Sequence, residues 1–302
     1  MMSLIEKVTL AIFIILCALS FLLNATFLLI VCKSWKLVKR RRITYHVTNL
    51  AFSDFMVGAS SFCSFTLMAV AGRETPSSLA FYKIAWMSTL TSLQAVCLMA
   101  IERAVCLQKP HTWHQILPLK RILLVMAGNW VFALPLTILM HFYKHTMMFV
   151  FLVLVTICLS VTSVLYVNMY VKIRKSNKVN DEVAQEGSSA AVTIEERRNN
   201  LMQRKVGNFV LSLTLLLLIT VLPSILVLDV QVSCELYELN CGDKEILQTI
   251  TGFVYLISII NFIVNPIIYV WKMSLYRQAL WRLFGKTVGN NLQVNPSGTY
   301  TE

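Results

Sequence analysis

Near its C-terminus the sequence reads NFIVNPIIYVWKMSLYRQALWRLF (residues 261–284), which places Asn265 and Pro266 inside an apolar run long enough to form a helix. A proline within a helix removes a backbone hydrogen bond and clashes with the preceding turn, at a cost of about 3 kcal/mol or more. The asparagine adds a polar amide to the same turn. A helix that contains both residues is predicted to bend there and to use a hydrogen-bonding group at the bend.

The composition indicates a membrane protein. Of the 302 residues, 57% are hydrophobic and only 14% are charged, whereas soluble domains carry roughly 25% charged residues. Seven apolar stretches approach the ~20 residues that a helix needs to cross a bilayer; they cover residues 8–32, 44–69, 77–107, 120–140, 147–171, 206–230 and 246–271. The first is too long for the core of a signal peptide, and its positive charges follow it, so it is interpreted as a retained helix. The predicted fold is an all-α bundle of seven transmembrane helices over residues 8–271.

The positive charges are distributed unevenly between the two sides of this bundle. The net charge is +12, and of the 27 Lys and Arg residues 21 lie on one side, five on the other, and Arg103 near a helix end. Because cytoplasmic loops are enriched in Lys and Arg, the split predicts that residues 1–7 lie outside and the C-terminus in the cytoplasm. The expected location is the plasma membrane. The basic residues also suit contact with anionic membrane lipid. This confinement to loops makes nucleic acid a poor explanation of the charge, and no nucleic-acid partner is expected.

Three segments outside the spans have their own predicted character. The link over about residues 172–205 is the longest polar segment, and its Gly-Ser-Ser step suggests flexibility at its centre. Its basic flanks are predicted to continue the fifth and sixth helices. Residues 272–286 are predicted to form an amphipathic cytoplasmic helix, and residues 287–302 a disordered tail.

Two of the eight cysteines, Cys234 and Cys241, share the outer loop between the sixth and seventh spans. The outside of a cell is oxidising, so a disulfide between them is predicted, with two free thiols as the alternative. The other six cysteines lie in or beside apolar spans, where cysteine is more often a small core residue than a functional one.

Several polar residues occur inside the spans, where polar groups are costly and are therefore functional candidates. Asp54 is the only carboxyl group among the set formed by Asn24, Asp54, Ser92, Asn261 and Asn265. A lone buried aspartate is more often neutral than charged, but a serine hydroxyl and two amides nearby would let a carboxylate hold a small cation. Glu102 and Arg103 end the third span, where a pair that reaches toward water is the simplest interpretation.

Taken together, these motifs resemble one receptor family. Asn24, NLAFSD (49–54), ERA (102–104), Trp130, Pro223 and NPIIY (265–269) occur in order, each in its own span. Over about residues 8–284 the chain is similar to rhodopsin-like (class A) G-protein-coupled receptors, and residues 275–284 resemble the short cytoplasmic helix of that family.

The resemblance implies a mechanism and a set of site residues. Asn265 and Pro266 would break the seventh helix so that it rearranges on activation, and Arg103 would leave its neighbouring acid to meet a heterotrimeric G protein. The implied activation switch comprises Glu102, Arg103, Tyr166, Pro223, Asn265, Pro266 and Tyr269. Asp54, Ser92, Asn261 and Asn265 match the family's sodium pocket, in which a bound sodium ion would favour the resting state.

The sequence also departs from the family pattern. Ser78 stands where the family has the cysteine that forms a disulfide with the second outer loop. Cys158 stands in place of the family's proline, Val221 in place of its tryptophan, and Ala104 in place of its tyrosine. A short second outer loop and paired cysteines in the third resemble melanocortin receptors. Ser64 and Tyr82 occupy the positions where melanocortin receptors carry acidic residues. The resemblance to that branch is therefore loose, and its ligand is not assigned to this protein.

Some ligand classes are disfavoured by single residues. Ala85 stands where amine receptors have an acid, Ile259 where visual pigments have a lysine, and Leu228 where adenosine receptors have an asparagine. The residues that face the expected ligand pocket suit an apolar small molecule or a lipid, with ordinary helix packing as the alternative; they are Tyr82, Trp86, Thr89, Ser224, Leu228, Thr251, Tyr255 and Ser258.

Other functional classes explain less of the sequence. A transporter would show paired halves with helices broken at matching positions, and an enzyme would need a catalytic set. The histidines lie near the expected membrane surfaces; His111 and His114 could bind a metal, but an ordinary loop explains them better. The sequence therefore predicts a receptor that is not an enzyme. The alternative is a receptor-like protein with constitutive or atypical signalling.

Overall fold

The computed structural model describes residues 4–109, 112–185, 194–237 and 244–283. Seven long helices in these ranges are apolar and long enough to cross a membrane, as predicted. A shorter amphipathic helix follows the seventh. The eight helices are α1 Leu4–Lys33, α2 Arg42–Ala71, α3 Pro76–Gln108, α4 Leu119–Phe142, α5 Lys144–Gln185, α6 Ile194–Leu236, α7 Lys244–Lys272 and α8 Ser274–Leu283.

Two one-turn helices lie in the links at the end of the bundle that carries α8. One covers Trp35–Val38 between α1 and α2, and the other covers Trp113–Ile116 between α3 and α4. Most of the Lys and Arg residues of the chain lie in the links and on the helix ends at this side, so we call it the basic end.

The third helix forms the centre of the bundle. In its most apolar segment 67% of the residues are buried inside the protein, compared with 17% in α4. An apolar helix with few protein contacts exposes its side chains to lipid, so α4 lies at the periphery. The side chains that α3 carries are consequently the ones most enclosed by other helices.

Hydrogen bonds fix the start of α3 at the end opposite the basic one. Gly72 ends α2 with a φ of 65°, a left-handed conformation that glycine adopts without strain. Thr75 and Ser78 then form a reciprocal capping box, and the Ser64 hydroxyl donates to the Ser78 carbonyl at 2.8 Å. The Ser78 side chain thus helps to cap α3, and its backbone carbonyl links α3 to α2.

Helices α1 and α2 approach each other closely at Gly58. A Cβ atom added to this glycine would lie 2.6 Å from the backbone nitrogen of Phe21 and 3.1 Å from the carbonyl oxygen of Cys17. Since these atoms belong to the backbone, neither can move aside cheaply. The absence of a side chain at Gly58 is what allows the two helices to pack at this distance.

Several helices are longer than the apolar spans predicted from the sequence. Helix α1 begins at Leu4, within the predicted outer N-terminus, and α5 and α6 run well beyond the predicted spans. These extensions agree with the expectation that the basic flanks continue the fifth and sixth helices.

The Gly-Ser-Ser step at 187–189 and the tail at 287–302 lie outside the described residues, as does Cys241. Cys234 is disulfide-bonded, and its pairing with Cys241 stays a prediction.

Candidate functional site

A side chain from α1 supplies the hydrogen bond that Pro266 removes from α7. Pro266 has no N–H group, so the carbonyl of Phe262, four residues earlier, loses its usual partner within the helix. The Asn24 amide donates to this carbonyl at 2.9 Å and to the Ser20 carbonyl at 2.9 Å. The hydrogen-bonding cost of the proline is thus offset by a neighbouring helix, which answers why α7 tolerates Pro266.

Three of the four predicted sodium-site residues are joined directly. The Ser92 hydroxyl of α3 donates to one oxygen of Asp54 at 2.6 Å, and the Asn265 amide of α7 donates to the other at 2.8 Å. Asn261, the fourth, is 1% exposed and its amide nitrogen has no hydrogen-bond partner among the described residues. We call these four residues the Asp54 cluster. Its carboxylate, hydroxyl and amide oxygens are the donor types that a hard cation such as sodium prefers.

Aromatic rings pack between the Asp54 cluster and the basic end. Tyr269 is fully buried, and its ring centroid lies 4.9 Å from that of Phe27 and 5.9 Å from that of Phe209. Its hydroxyl has no hydrogen-bond partner among the described residues. Tyr166, which the family resemblance pairs with Tyr269 in the activation switch, is half-buried on α5, and no hydrogen bond joins the two tyrosines. A buried hydroxyl without a partner is costly, which favours a side chain that changes its position.

At the basic end Glu102 is held from two sides. The Arg103 guanidinium lies 3.2 Å from one carboxylate oxygen, and Nε2 of His46 lies 2.6 Å from the other. Glu102 and His46 are 0% exposed and Arg103 only 5%. The simplest interpretation of the sequence, a pair that reaches toward water, is therefore wrong, because both side chains are buried. A buried charge pair is costly unless both partners are well bonded, and His46 supplies the additional contact.

An indole ring from the link between α3 and α4 covers the same arginine. The Arg103 guanidinium lies 5.5 Å from the centroid of the Trp113 ring, and that of Arg42 lies 4.8 Å from it. Arg42 also donates to the Leu117 carbonyl at 2.7 Å. His114 stacks on Trp113 with ring centroids 3.7 Å apart. Partial burial, together with the positive charge of Arg42, lowers the pKa of His114 below its ordinary value.

The predicted ligand-facing residues fall into two groups. On α3, Tyr82 packs edge-on against Trp86, which packs in turn against Phe151 of α5 at 4.7 Å between ring centroids. Thr89 uses its hydroxyl to donate to the carbonyl of Ala85 in its own helix. This group is an aromatic wall that joins α3 to α5.

The second group joins α6 to α7. The hydroxyls of Ser224 and Ser258 are hydrogen-bonded to each other, and Ser224 also donates to the Val254 carbonyl. Thr251 donates to the side chain of Gln231 at 3.0 Å. These hydroxyls are engaged in helix–helix contacts. The remaining members are Leu228, which is half-buried, and Tyr255, which packs against Phe13 of α1.

Helix α8 is anchored to the bundle through its buried face. Tyr276 is fully buried, packs edge-on against Phe27, and donates its hydroxyl to Thr44 at 3.2 Å. Burial raises the pKa of Tyr276, so this hydroxyl keeps its proton. A groove of about 580 Å³ lies between α8 and the end of α1 and is lined by Cys32, Lys33, Ser34, Trp35, Lys36, Leu37, Arg282 and Leu283.

Sequence reasoning missed His46, Trp113 and Arg42. Each lies outside the motif that it supports, and each is an ordinary residue for a link or a helix end. The charge of Arg42 was counted only as a topological signal. The one available hint was Ala104, because a small residue beside Arg103 leaves room for a side chain from elsewhere.

Comparisons with known proteins agree with this geometry. The sequence matches the family described as 7 transmembrane receptor (rhodopsin family) over residues 23–147 and 141–269. It is 25% identical over 222 residues to the G-protein coupled receptor aex-2 of Caenorhabditis elegans, which covers 70% of this chain and 64% of that relative. The match thus spans less than two thirds of the relative's length. Since the matched residues cover most of the chain and include the Asp54 cluster and Pro266, the chain belongs to the rhodopsin family of seven-transmembrane receptors.

Proposed function

We propose that the protein is a G-protein-coupled receptor that converts binding of an extracellular or lipid-like ligand into activation of a heterotrimeric G protein. Membership of a receptor family supports this class, and it is a class of receptors rather than of enzymes. In this proposal nucleotide exchange occurs on the G protein, and the receptor contributes only a change of conformation.

The observation that carries the proposal is the state of Arg103. This arginine lies at the basic end, is 5% exposed, and is held by Glu102 and by the Trp113 ring. An arginine kept from water by specific contacts can be released by a helix movement and then bind carbonyl groups of a partner. A charge that served only membrane topology would need no such contacts.

The Asp54 cluster supports a proposal of allosteric control by a sodium ion. Asp54, Ser92 and Asn265 belong to α2, α3 and α7, so a cation held by their oxygens would fix three helices in one arrangement. A bound sodium ion supplies only positive charge. The protein's own residues would hold it with the Asp54 carboxylate and the neighbouring hydroxyl and amide oxygens. A ligand that favours one of two conformations shifts the population toward it.

The ligand is proposed to bind between the two pocket groups at the end opposite the basic one. The aromatic and aliphatic lining of these groups suits an apolar molecule. The engagement of Ser224 with Ser258 leaves those hydroxyls less available to a polar ligand. The similarity to melanocortin receptors supports no ligand choice.

A membrane phospholipid is proposed as a second partner. The groove beside α8 carries Lys33, Lys36 and Arg282 together with the indole of Trp35. Cationic groups beside an interfacial aromatic ring suit an anionic headgroup at the membrane surface. The double variant Lys33→Gln, Lys36→Gln should retain less anionic phospholipid after detergent extraction, whereas Lys83→Gln at the opposite end should not. Equal retention would contradict this partner.

The central experiment is nucleotide exchange on purified G protein with Arg103→Ala. We expect exchange to fall to the level without receptor while cell-surface expression stays normal, because Arg103 is the described guanidinium that lies against both the Glu102 carboxylate and the Trp113 ring. Arg277→Ala is the matched control, since Arg277 is exposed at the same end and its guanidinium donates to the Trp271 carbonyl at 3.3 Å. Normal exchange by Arg103→Ala at normal surface levels would refute the switch role.

A second candidate is a receptor-like protein with constitutive or atypical signalling. It is favoured by Val221, a buried aliphatic residue at the position where similar receptors carry a tryptophan, and by Ala104 beside the switch arginine. The same assay separates the two candidates. Exchange without any ligand that clearly exceeds a receptor-free control favours the second candidate, and exchange that depends on a compound from a ligand library favours the first.

A further inference from the structure

The link between α3 and α4 is attached to the basic end by one aromatic side chain. Trp113 is 6% exposed although it lies in a link of polar residues, and the guanidinium groups of Arg42 and Arg103 both lie within cation–π distance of its ring. Such contacts gain strength when the cation is desolvated, and Arg103 is almost fully buried. The ring therefore binds the very arginine that the proposed function requires to be released.

The same link is held at its far side by Arg42. This residue donates to the Leu117 carbonyl, and the backbone N–H groups of Gln115, Ile116 and Leu117 complete the helical turn that carries Trp113. The turn is thus docked as a unit on α2 and α3. Ala104, in the turn of α3 beside Arg103, is buried and contributes no polar group.

We propose that Trp113 is a positioning residue that keeps Arg103 in its resting place, and that undocking of the turn at Trp113–Ile116 is a required step of activation. Both the Glu102 carboxylate and the Trp113 ring then restrain Arg103. Release of the arginine breaks both. The inference rests on the proposed function, because it assigns Trp113 a part in controlling the same arginine.

Substitution of the ring tests this role. Trp113→Leu removes the π face, and we expect ligand-independent nucleotide exchange per surface receptor to rise about fivefold, equivalent to about 1 kcal/mol. Trp113→Phe keeps a weaker aromatic face and should give a smaller rise. The matched control is Trp271→Leu, because Trp271 lies at the same end with a cation, Lys272, 4.5 Å from its ring centroid, yet is 68% exposed and belongs to α7 rather than to the Trp113 turn.

A second measurement reads the docking itself without a G protein. Amide hydrogen exchange of residues 115–117 should become faster in Trp113→Leu than in wild type or Trp271→Leu, because the undocked turn opens more often. If Trp113→Leu does not reach the membrane, the comparison between Trp113→Phe and wild type decides, and both readouts must still rise.

The outcomes separate this inference from the proposed function. If Trp113→Leu shows the same amide protection as wild type, the role of Trp113 is overturned. The same holds if wild type activates a G protein and Trp113→Leu gives no more ligand-independent nucleotide exchange than wild type. If wild type activates none of the G proteins tried, the proposed function fails, whereas faster amide exchange in Trp113→Leu would still support docking by the ring.

Discussion

At the scale of single residues, Asp54 is the group on which the most helices depend. Both of its oxygens accept hydrogen bonds, one from α3 and one from α7, and it is 0% exposed. Polar groups placed at the centre of a membrane bundle are costly unless they are bonded in this manner. A change at Asp54 therefore alters the relation of three helices at once.

Asp54→Asn is expected to abolish the effect of sodium on the resting state. In wild type, replacing choline chloride with sodium chloride should lower ligand-independent nucleotide exchange by about fivefold, within the range of typical allosteric couplings. The variant lacks the negative charge that a cation needs, so its nucleotide exchange should be the same in sodium chloride as in choline chloride. Asp229→Asn, which removes a half-buried carboxyl group from α6, is the control and should keep the sodium response. An equal response of wild type and Asp54→Asn would remove sodium from the mechanism.

We expect docking of the Trp113 turn to depend on the protonation of His114. Its pKa is lowered in the folded protein by partial burial and by Arg42, with Arg103 acting in the same direction and Glu102 opposing them. The neutral form is therefore favoured when the turn is docked, and docking is fully retained above the ordinary value of 6.5. As pH falls below that value, the undocked state takes up the proton more readily and docking weakens.

We expect amide exchange of residues 115–117, corrected for its intrinsic pH dependence, to accelerate between pH 7.5 and about pH 5.5. His114→Gln cannot take up the proton and should show no such change. A pH response that persists in His114→Gln would assign the effect to another group.

The predictable part of the site consists of residues that stand in recognisable motifs. Asp54, Ser92 and Asn265 could be placed together from the sequence because each lies in its own apolar span, where polar residues are rare. His46 and Trp113 could not, because nothing in the sequence says that a histidine in α2 meets Glu102 or that a link tryptophan turns inward. Those contacts depend on how far the helices are rotated and on where the link folds back.

At the scale of the elements, α1 and α2 pack at a distance that only glycine permits. Gly58→Ala would bring a Cβ atom to 2.6 Å from the backbone nitrogen of Phe21. We expect it to lower stability by about 1–3 kcal/mol, the usual cost of overpacking, and to lower the thermal unfolding temperature of the purified receptor accordingly. Gly128→Ala is the control, since nothing lies within 4 Å of its added Cβ atom, and it should be near neutral. Similar melting temperatures for the two variants would show that the helices can separate at little cost.

The apolar spans identified the elements but not their full length. A span ends where hydropathy falls, whereas a helix ends where its backbone loses hydrogen-bond partners or meets a glycine or proline. Helix α5 runs to Gln185 and α6 starts at Ile194, both beyond the apolar residues. Their polar extensions consist mostly of good helix formers, which explains why the predicted continuation past the membrane is present.

At the scale of the whole molecule, the uneven distribution of charge gives the two ends different chemistry. The basic end carries 21 of the 27 Lys and Arg residues, and the opposite side carries five. An epitope tag at the N-terminus should be stained by antibody on intact cells, whereas a C-terminal tag should be stained only after permeabilisation. The reverse result would place Arg103 outside the cell, and with it the proposed G-protein surface.

The bundle as a whole was the most predictable feature, because a bilayer permits few solutions for a long apolar chain. The ligand was the least predictable, since a pocket is made by side chains from several helices whose rotations the sequence does not specify. Ser224 and Ser258 illustrate this point. Both were predicted to face the ligand pocket, with helix packing as the alternative, and their hydroxyls are hydrogen-bonded to each other.

The length of α6 converts a small rotation into a large displacement. From Pro223 to its start at Ile194 the helix runs for about 29 residues, or about 44 Å at 1.5 Å per residue. If α6 pivots at this proline as a rigid rod, a tilt of 10° carries its tip sideways by about 8 Å. A contact change smaller than one side chain near the ligand pocket would then become, through leverage alone, a movement wide enough to admit a helix of another protein.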